Sequence, residues 1–398
     1  MKISITDYNS CSAAGADIHR LRASLSSQVS GLRSNDLSGS DVPTWIGRVT
    51  DIDNVHDLGV WQSRNNVLAL IGLASPSAMG DSIQHSIQHL IKQLGRERIG
   101  VVIGSSTSSI DRTEMAYTDL SDTKSFKPAY QQPRVHNPHA PGLFVAHHTG
   151  IRGPAMTVNT ACSSSAKVFA TAARWLDAGI VDAVLVGGVD TLCLSVVHGF
   201  DSLQLVSASP CKPFDATRDG INLGEASGFA ILQRAEDAPA SQHTYLTGYG
   251  ESSDAYHMSH PHPEGEGARL SIAGALAMAK LAPQDLDYIN LHGTASRAND
   301  SIEGKLITSM FGDAVPCSST KGWMGHTLGA AGITEAIIAF DAMSTGLVPG
   351  SLNLQCLDDD VSIDIQAENR ILSCQHVMTN SFGFGGNNCS LVFSRGSN

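Results

Sequence analysis

The amino-acid sequence predicts an α/β fold in which helices cover a mainly buried sheet. Short runs rich in β-branched residues alternate with helical patterns, as in RIGVVIGSS at residues 98–106 and DAVLVGGVD at residues 182–190. Several of these runs end in glycine-rich turns, and such strand ends are where the functional loops of α/β proteins gather. The 398 residues are enough for one large domain or two medium domains.

The composition is that of an ordinary globular protein, with 42% hydrophobic and 16% charged residues. A formal net charge of -12 argues against nucleic-acid binding, which requires a basic surface. No run approaches the roughly 18 apolar residues of a membrane span, and the N-terminus lacks the apolar core of a secretory signal. We therefore expect no membrane span and a cytoplasmic location.

One of the eight cysteines stands out by its position. The others are scattered without metal-binding spacing, which predicts reduced thiols. Cys162 directly precedes a helical pattern, because apolar residues at 168, 169, 172, 175 and 176 repeat near the helical period and Gly179 supplies a stop. A helix N-terminus lowers a thiol pKa and favours a nucleophile. The alternative is a small buried structural residue.

Two of the sixteen histidines have unusual neighbours. His292 follows the apolar run YINL and opens HGTAS, whereas His326 lies in KGWMGHTLGAAG before a second predicted helix with one apolar face. Either histidine alone is more often structural than catalytic. Together with a cysteine at a helix N-terminus, they predict a catalytic cluster.

The chain also shows signs of an internal duplication. Two predicted helices each follow a small-residue segment that carries a reactive side chain, Cys162 or His326. We therefore expect two similar halves, residues 1–240 with the cysteine and residues 241–398 with the two histidines. The tract containing His257, His260 and His262 is not expected to bind a metal, because prolines interrupt it and no carboxylate or cysteine completes the set.

Six motifs resemble, in order and spacing, those of the β-ketoacyl-acyl-carrier-protein synthases, condensing enzymes of the thiolase superfamily. They are TACSSS, FDATRDGINLGEASG, SSDAYHM, HGTASRANDSIEG, SSTKGWMGHTLGAAGITEA and NSFGFGGNN. The resemblance covers residues from about 95 to 395. It implies a thiolase-like duplicated fold with five layers, αβαβα, and a 3-oxoacyl-[acyl-carrier-protein] synthase, which is an acyltransferase.

The resemblance also implies roles for individual residues. Cys162 matches the acyl-accepting nucleophile, and His292 and His326 match the histidines of a Cys-His-His site. Lys321 and Glu335 match a supporting lysine and glutamate. The further residues implied are Phe384 as a gate and, with the backbone of Cys162, an oxyanion donor, and Thr294, Ser296, Thr107 and Phe200 at the substrate. For Thr294 and Ser296, turn capping is an equal alternative.

These residues suit a decarboxylative condensation. A thiolate on Cys162 accepts an acyl group, while backbone N–H groups stabilise the oxyanion. Malonyl thioester then loses CO2, and two neutral histidines supply the hydrogen bonds that its enolate needs. The substrates are carried on the phosphopantetheine of an acyl carrier protein, so no separate cofactor and no metal are implied.

Finer motifs resemble the synthases of bacterial aryl polyene clusters: GSSTSS at 104–109, SRNNVLAL at 63–70 and DTLCLSVVHGFDSL at 190–203. In this interpretation the hydroxyl groups of residues 105–109 line the acyl pocket and favour a conjugated chain. The alternatives are a housekeeping fatty-acid elongation synthase, a thiolase with a second catalytic cysteine, and a non-catalytic chain-length partner subunit. Cys389 lies in an apparent strand, which disfavours the thiolase.

Two kinds of protein partner are expected. An acidic acyl carrier protein would dock on a basic cluster drawn from Arg64, Lys124, Lys127 and Arg134. A second subunit, either a copy of this chain or a chain-length-factor-like protein, would form a dimer. The apolar run GLFVA at 142–146 would otherwise be an exposed patch on a monomer.

Overall fold

The computed structural model describes residues 2–50, 52, 57–131, 134–239 and 244–396. The elements before residue 240 are β1 (Ile3–Ser12), α1 (Ile18–Ser27), β2 (Arg33–Ser34), β3 (Trp45–Gly47), α2 (Arg64–Ala74), α3 (Ile83–Leu94), β4 (Ile99–Gly104), α4 (Ile110–Thr123), α5 (Ala140–Thr149), β5 (Ala155–Val158), α6 (Ser164–Asp177), β6 (Ala183–Asp190), α7 (Leu194–Ser202), β7 (Leu223–Gly224) and β8 (Ala226–Arg234).

The elements after residue 243 are β9 (Thr244–Ser253), α8 (Glu266–Ala279), β10 (Tyr288–Asn290), α9 (Arg297–Phe311), β11 (Pro316–Ser318), α10 (Lys321–Met324), α11 (Ala331–Thr345), β12 (Leu347–Val348), β13 (Asp364–Ile365), β14 (Arg370–Ile371), β15 (His376–Gly383) and β16 (Asn387–Arg395). Short 3-10 turns, among them Leu328–Ala330 and Phe384–Gly386, connect some of these elements.

The main sheet consists of two five-strand units with the same topology. Their orders are β5-β4-β6-β8-β1 and β11-β10-β15-β16-β9, and β13 extends the second unit at its edge. In each unit the second, third and fourth strands along the chain are parallel, whereas the fourth and fifth pair antiparallel, as do the fifth and first. The repeated order is the expected duplication. The predicted boundary between residues 240 and 241 lies outside the described residues and stays a prediction.

The two units meet through β1 and β9, which pair at Ile3 with Leu246 and at Ser4 with Tyr245. Helices α6 and α11 contact strands of both units and each other, so they form a layer between the units. Helices α2, α3 and α5 share one outer core with the first unit, and α8 and α9 share another with the second. The five-layer αβαβα arrangement predicted from the resemblance is therefore confirmed.

Aromatic rings fill the central layer. The ring of Phe340 on α11 lies 4.6 Å from that of Phe393 on β16 and 6.2 Å from that of Phe169 on α6. The sequence predicts one apolar face for α11, but the helix is buried on all sides from Ala331 to Met343. A helix between two sheets has no solvent-facing side, which explains the difference.

Helix α5 does not form the exposed patch predicted for GLFVA. Phe144 and Val145 are buried against α2 and the first sheet unit, and of the large apolar side chains in this run Leu143 alone is exposed, at 44%. The run is apolar because the helix buries one face within its own chain. None of the described helices is long and apolar enough to cross a membrane. The cytoplasmic location stays a prediction.

Candidate active site

The turn before α6 holds Cys162 in a strained and well-bonded segment. Ala161 has a φ of 52°, which is uncommon for a residue with a side chain. The hydroxyl of Ser164 donates to the carbonyl of Ala161 at 2.6 Å, and that of Ser163 donates to the carbonyl of Thr160 at 2.9 Å. Two of the three serines that follow the cysteine therefore fasten the turn that presents it.

The third serine connects the two halves of the site. The Oγ of Ser165 accepts a hydrogen bond from the backbone N–H of Ile333 on α11 at 3.0 Å. Helix α6, as predicted, runs from Ser164 to Asp177, and Gly179 follows in a left-handed conformation.

Cys162 and the two histidines come together as the sequence predicts. The Nε2 of His326 lies 2.9 Å from the Sγ of Cys162. The ring of His292 lies 5.4 Å from that of His326 and is nearly perpendicular to it, at 85°. All three side chains are buried, and one donor atom from each lies within 4.8 Å of the others. The cysteine comes from the first sheet unit and the histidines from the second, so the site forms at their junction.

Lys321 and Glu335 lie directly behind the histidines. The Nζ of Lys321 donates to the Oε1 of Glu335 at 2.5 Å and also to the backbone carbonyl of His292. Burial, reinforced by the Lys321 ammonium, holds the pKa of His292 and His326 well below their ordinary value. Both imidazoles are therefore neutral at neutral pH.

A second carboxylate, Glu303 on α9, holds the turn that carries His292. It accepts the backbone N–H groups of His292 and Gly293, both at 2.8 Å. Burial raises the pKa of Glu303 to about 7, although these two hydrogen bonds favour the charged form. Glu303 is not among the site residues predicted from the sequence. Its signal is an acidic side chain on the helix that directly follows the histidine turn, within reach of the turn's free N–H groups.

The pKa of the nucleophile differs from the expectation. Burial raises the pKa of the Cys162 thiol to about 11, although Lys321 and a hydrogen bond from the backbone of Phe384 favour the thiolate. The prediction that the helix N-terminus lowers this pKa is therefore wrong for the free protein. The loss of water around the sulfur outweighs the helix end, because Cys162 is only 6% exposed.

An open pocket leads to the sulfur of Cys162. It is lined by Cys162, Phe200, Leu203, Leu205, Ile221, Asp254, Ser259, His260, Pro261, His292, Thr294, Ser296, Ala298, Asn299, His326, Phe382, Gly383, Phe384, Gly385, Gly386 and Asn388. Four predicted residues are thus at the pocket: Phe200, Phe384, Thr294 and Ser296. The rings of Phe200 and Phe384 lie 5.5 Å apart. Ser296 also caps α9, so both roles weighed for it coexist.

Phe384 belongs to a turn that is bonded to the pocket rim. Within this turn, Gly385 and Gly386 have φ values of 77° and 72°, which favour glycine. The N–H of Gly385 donates to the carbonyl of Met258 at 2.8 Å, and the N–H of Asp254 donates to the carbonyl of Gly386 at 2.8 Å. Backbone hydrogen bonds therefore join the Phe384 turn to the loop that contains Asp254 and Met258.

Thr107 is the predicted substrate residue that the structure does not bring to the pocket. Its hydroxyl donates to the carboxylate of Asp190 at 2.8 Å, and its N–H donates to the same oxygen at 3.0 Å. None of residues 105–109 is among those that line the pocket. A buried carboxylate binds the hydroxyl groups of the first three of them. Their role at the acyl chain stays a prediction.

Comparison with known proteins identifies the family. The model of the β-ketoacyl synthase N-terminal domain matches residues 86–238, and that of the C-terminal domain matches residues 243–355. The chain belongs to the β-ketoacyl synthase family. A 3-oxoacyl-[acyl-carrier-protein] synthase 2 from Coxiella burnetii is 34% identical over 77% of this chain and 77% of its own length. A second, from Vibrio cholerae, is 33% identical over 75% and 76%.

Solved structures of β-ketoacyl synthases cover almost the whole chain. The ketosynthase ApeO, in complex with its chain length factor ApeC, from Xenorhabdus doucetiae is 35% identical, with a TM-score of 0.88 over 99% of this chain and 98% of that chain. A β-ketoacyl synthase from Burkholderia phymatum is 26% identical, with a TM-score of 0.87 over 100% of both chains. The protein is a β-ketoacyl-acyl-carrier-protein synthase, an acyltransferase of the thiolase superfamily. Its family uses substrates on the phosphopantetheine of acyl carrier proteins and needs no separate cofactor.

The buried carboxyl of Glu303 predicts a pH dependence of stability. Its folded pKa of about 7 lies above its ordinary value of 4.5, so the folded protein binds the proton more tightly than the unfolded chain does. This contribution to stability is full below pH 4.5 and is lost as the pH rises through 7. The free energy of unfolding can be measured in urea at pH 5 and at pH 7.5. It should fall more between these two pH values for the wild type than for Glu303→Gln.

The exposed Glu264 offers a matched control, and Glu264→Gln should follow the wild-type curve. The comparison of variants isolates Glu303 from the histidines, whose depressed pKa values act in the opposite direction. Equal slopes for Glu303→Gln and the wild type would contradict the assignment.

Proposed function

We propose that the protein performs decarboxylative condensation with the growing acyl chain held on Cys162. The observation that carries this proposal is the 2.9 Å contact between Cys162 Sγ and His326 Nε2, with His292 beside it, at the inner end of an open pocket. It supports a nucleophile and two hydrogen-bonding groups at one reacting centre.

The first step is acyl transfer to the cysteine. The thiol is protonated in the free protein, and the Nε2–H of neutral His326 lies in position to donate to the sulfur as it attacks the thioester carbonyl. The backbone N–H groups of Cys162 and Phe384 stabilise the oxyanion. Collapse of the tetrahedral adduct breaks the bond to the carrier's sulfur, which leaves with the proton that the Cys162 thiol gives up.

The second step consumes malonyl thioester. The bond to its carboxylate breaks, CO2 leaves, and the electron pair remains as an enolate. His292 and His326, neutral for the reasons given above, donate hydrogen bonds to the enolate oxygen. The enolate carbon attacks the acyl carbonyl on Cys162, the Sγ leaves, and the product is a 3-oxoacyl chain longer by two carbons.

Replacement of the nucleophile tests the first step. Cys162→Ala should abolish acyl-enzyme formation and condensation while the protein stays folded, because little volume is removed from the turn. Intact mass after incubation with acyl carrier protein measures the acylation, and product analysis measures the condensation. Cys389→Ala is the control, since this buried strand cysteine should be dispensable. Condensation at the wild-type rate by Cys162→Ala would refute the mechanism.

Replacement of either histidine tests the second step. His292→Ala and His326→Ala should lose decarboxylation of malonyl carrier protein by about 2.7–4 kcal/mol of transition-state stabilisation, the effect of removing one oxyanion donor. Acylation of Cys162 should fall much less, particularly for His292→Ala, because His292 acts on the malonyl group. His257→Ala, at the exposed rim, is the control. Full decarboxylation by either active-site variant would remove that histidine from the mechanism.

We further propose an aryl-capped polyene as the growing chain, in an aryl polyene pathway. The sequence motifs support this assignment, and aromatic side chains at the pocket add to that support. Phe200, Phe382 and Phe384 all line the pocket. Flat rings stack well on a rigid conjugated chain, which also has few rotors to freeze on binding.

Competition between polyenoyl and saturated acyl carrier proteins of equal carbon number tests this assignment. The polyenoyl chain should be elongated in preference, and Phe200→Leu should reduce the preference because it removes one aromatic wall. Leu205→Ile, elsewhere on the pocket wall, is the control and should retain it. Equal or better use of the saturated chain by the wild type would assign the protein to ordinary fatty-acid elongation.

We propose two protein partners, an acyl carrier protein and a second subunit that forms a dimer. Of the basic residues predicted to dock the carrier protein, Arg64 is largely buried in an ion pair with Glu225, and Lys127 pairs with Asp119. Lys124 and Arg134 therefore remain the better candidates. For the dimer, the support is strand β5, which ends the sheet with Ala155 and Met156 exposed. An apolar edge strand invites pairing with another subunit.

The dimer is tested by light scattering at micromolar concentration. The wild type should be a dimer, alone or with a chain-length-factor-like subunit, and Met156→Lys should weaken it by placing a charge on the edge strand. Met278→Lys is the control, since Met278 is similarly exposed on α8, far along the chain from β5. A wild-type monomer both alone and with candidate subunits would contradict the proposal.

A further inference from the structure

Asp190 is a buried carboxylate to which the condensation mechanism gives no role. It ends β6, is 0% exposed, and accepts hydrogen bonds from two separate segments. From the segment after β4 it receives the hydroxyls of Ser105 at 2.6 Å, Ser106 at 2.5 Å and Thr107 at 2.8 Å, and also the N–H groups of Ser106 and Thr107. The serine-rich run therefore solvates this charge.

The second segment is the one that carries His326. The N–H of Gly329 donates to Asp190 at 2.6 Å, and Ser106 Oγ lies 3.2 Å from the same nitrogen. Asp190 thus joins a loop of the first sheet unit to the histidine loop of the second. Every one of these partners is a donor, so the two carboxylate oxygens act only as acceptors here.

The junction is tightly packed. A Cβ atom on Gly329 would lie 2.5 Å from the backbone nitrogen of Ser106 and 2.6 Å from the carboxylate of Asp190. Leu328, just before it, has a φ of 56° and packs with Ile221, which lines the pocket. Packing against its neighbours therefore holds Leu328 in this strained conformation.

The backbone of His326 has two anchors. The first anchor is at His326 itself. Its N–H donates to the backbone carbonyl of Asn222 at 2.7 Å, and its carbonyl accepts from the N–H of Gly224 at 2.9 Å. On its C-terminal side, three residues further on, the bond from Gly329 to Asp190 fixes the loop. Removal of the second anchor would free the histidine loop to shift relative to Cys162, without touching either side chain.

We propose that Asp190 is a positioning residue, which holds the His326 loop against the Ser105–Thr107 segment and so sets the distance between His326 and Cys162. This inference rests on the proposed function, because it assigns His326 to the reaction. A displacement of about 1 Å at a reacting group costs on the order of 100-fold in rate.

The test compares variants by rates per folded molecule. Asp190→Asn keeps the shape but turns one acceptor into a donor that faces other donors. It should lower malonyl decarboxylation about 100-fold, with a KM for the carrier substrate changed less than about threefold. Acylation of Cys162 should fall less than decarboxylation, whereas a general loss of folded protein would lower both equally. Asp190→Glu keeps the carboxylate and should restore part of the rate.

Milder variants keep the test informative if Asp190→Asn does not fold. Gly329→Ala disturbs the same junction from the other side and should reproduce the split between decarboxylation and acylation, while Gly199→Ala, with open space around its Cα, should not. Ser106→Ala should lower decarboxylation, while Ser109→Ala, whose hydroxyl bonds Ser63, should leave it unchanged.

Three outcomes would overturn the role of Asp190. They are an unchanged rate for folded Asp190→Asn, an equal loss for Ser106→Ala and Ser109→Ala, and equal losses of acylation and decarboxylation. Failure of the wild type itself to acylate Cys162 would instead refute the proposed function. In that case, the rate at which iodoacetamide alkylates Cys162 would test the role of Asp190. Asp190→Asn and Gly329→Ala should change that rate in the same direction, and no change would overturn the role.

Discussion

The buried ion pair between Lys321 and Glu335 is the interaction on which the site depends. Both side chains are out of water, where an unpaired charge is costly, so each requires the other. The same ammonium binds the carbonyl of His292 and opposes a positive charge on either imidazole. One pair therefore fixes the backbone of one histidine and, together with burial, keeps both histidines neutral.

The duplication explains how such a site is assembled from distant residues. Each sheet unit sends one helix into the central layer, and the reactive residue precedes each helix: Cys162 before α6 and His326 before α11. Because the two helices contact each other, the segments before them meet at one place. The bond between Ser165 and Ile333 and the bond between Asp190 and Gly329 both cross this junction.

Local patterns predicted much of this arrangement, and long-range contacts account for the rest. The period of α6, the stop at Gly179 and the motifs around Cys162, His292 and His326 are features of neighbouring residues, so a sequence displays them. The partner of Thr107 lies 83 residues away, and nothing local reveals that its hydroxyl faces a carboxylate. The thiol pKa also depends on burial, which is a property of the assembled layers.

The site also retains polar atoms that the fold leaves without partners among the described residues. Nδ1 of His292, Nδ1 of His326 and Oε2 of Glu335 are buried and make no hydrogen bond to any residue that the structure describes. Each such atom costs free energy, and a fold tolerates this cost where the surrounding packing is strong. The aromatic central layer and α11, buried on all sides, supply that packing directly behind the histidines. The same helix that stabilises the core thus carries Glu335, so stability and catalytic geometry are built from one element.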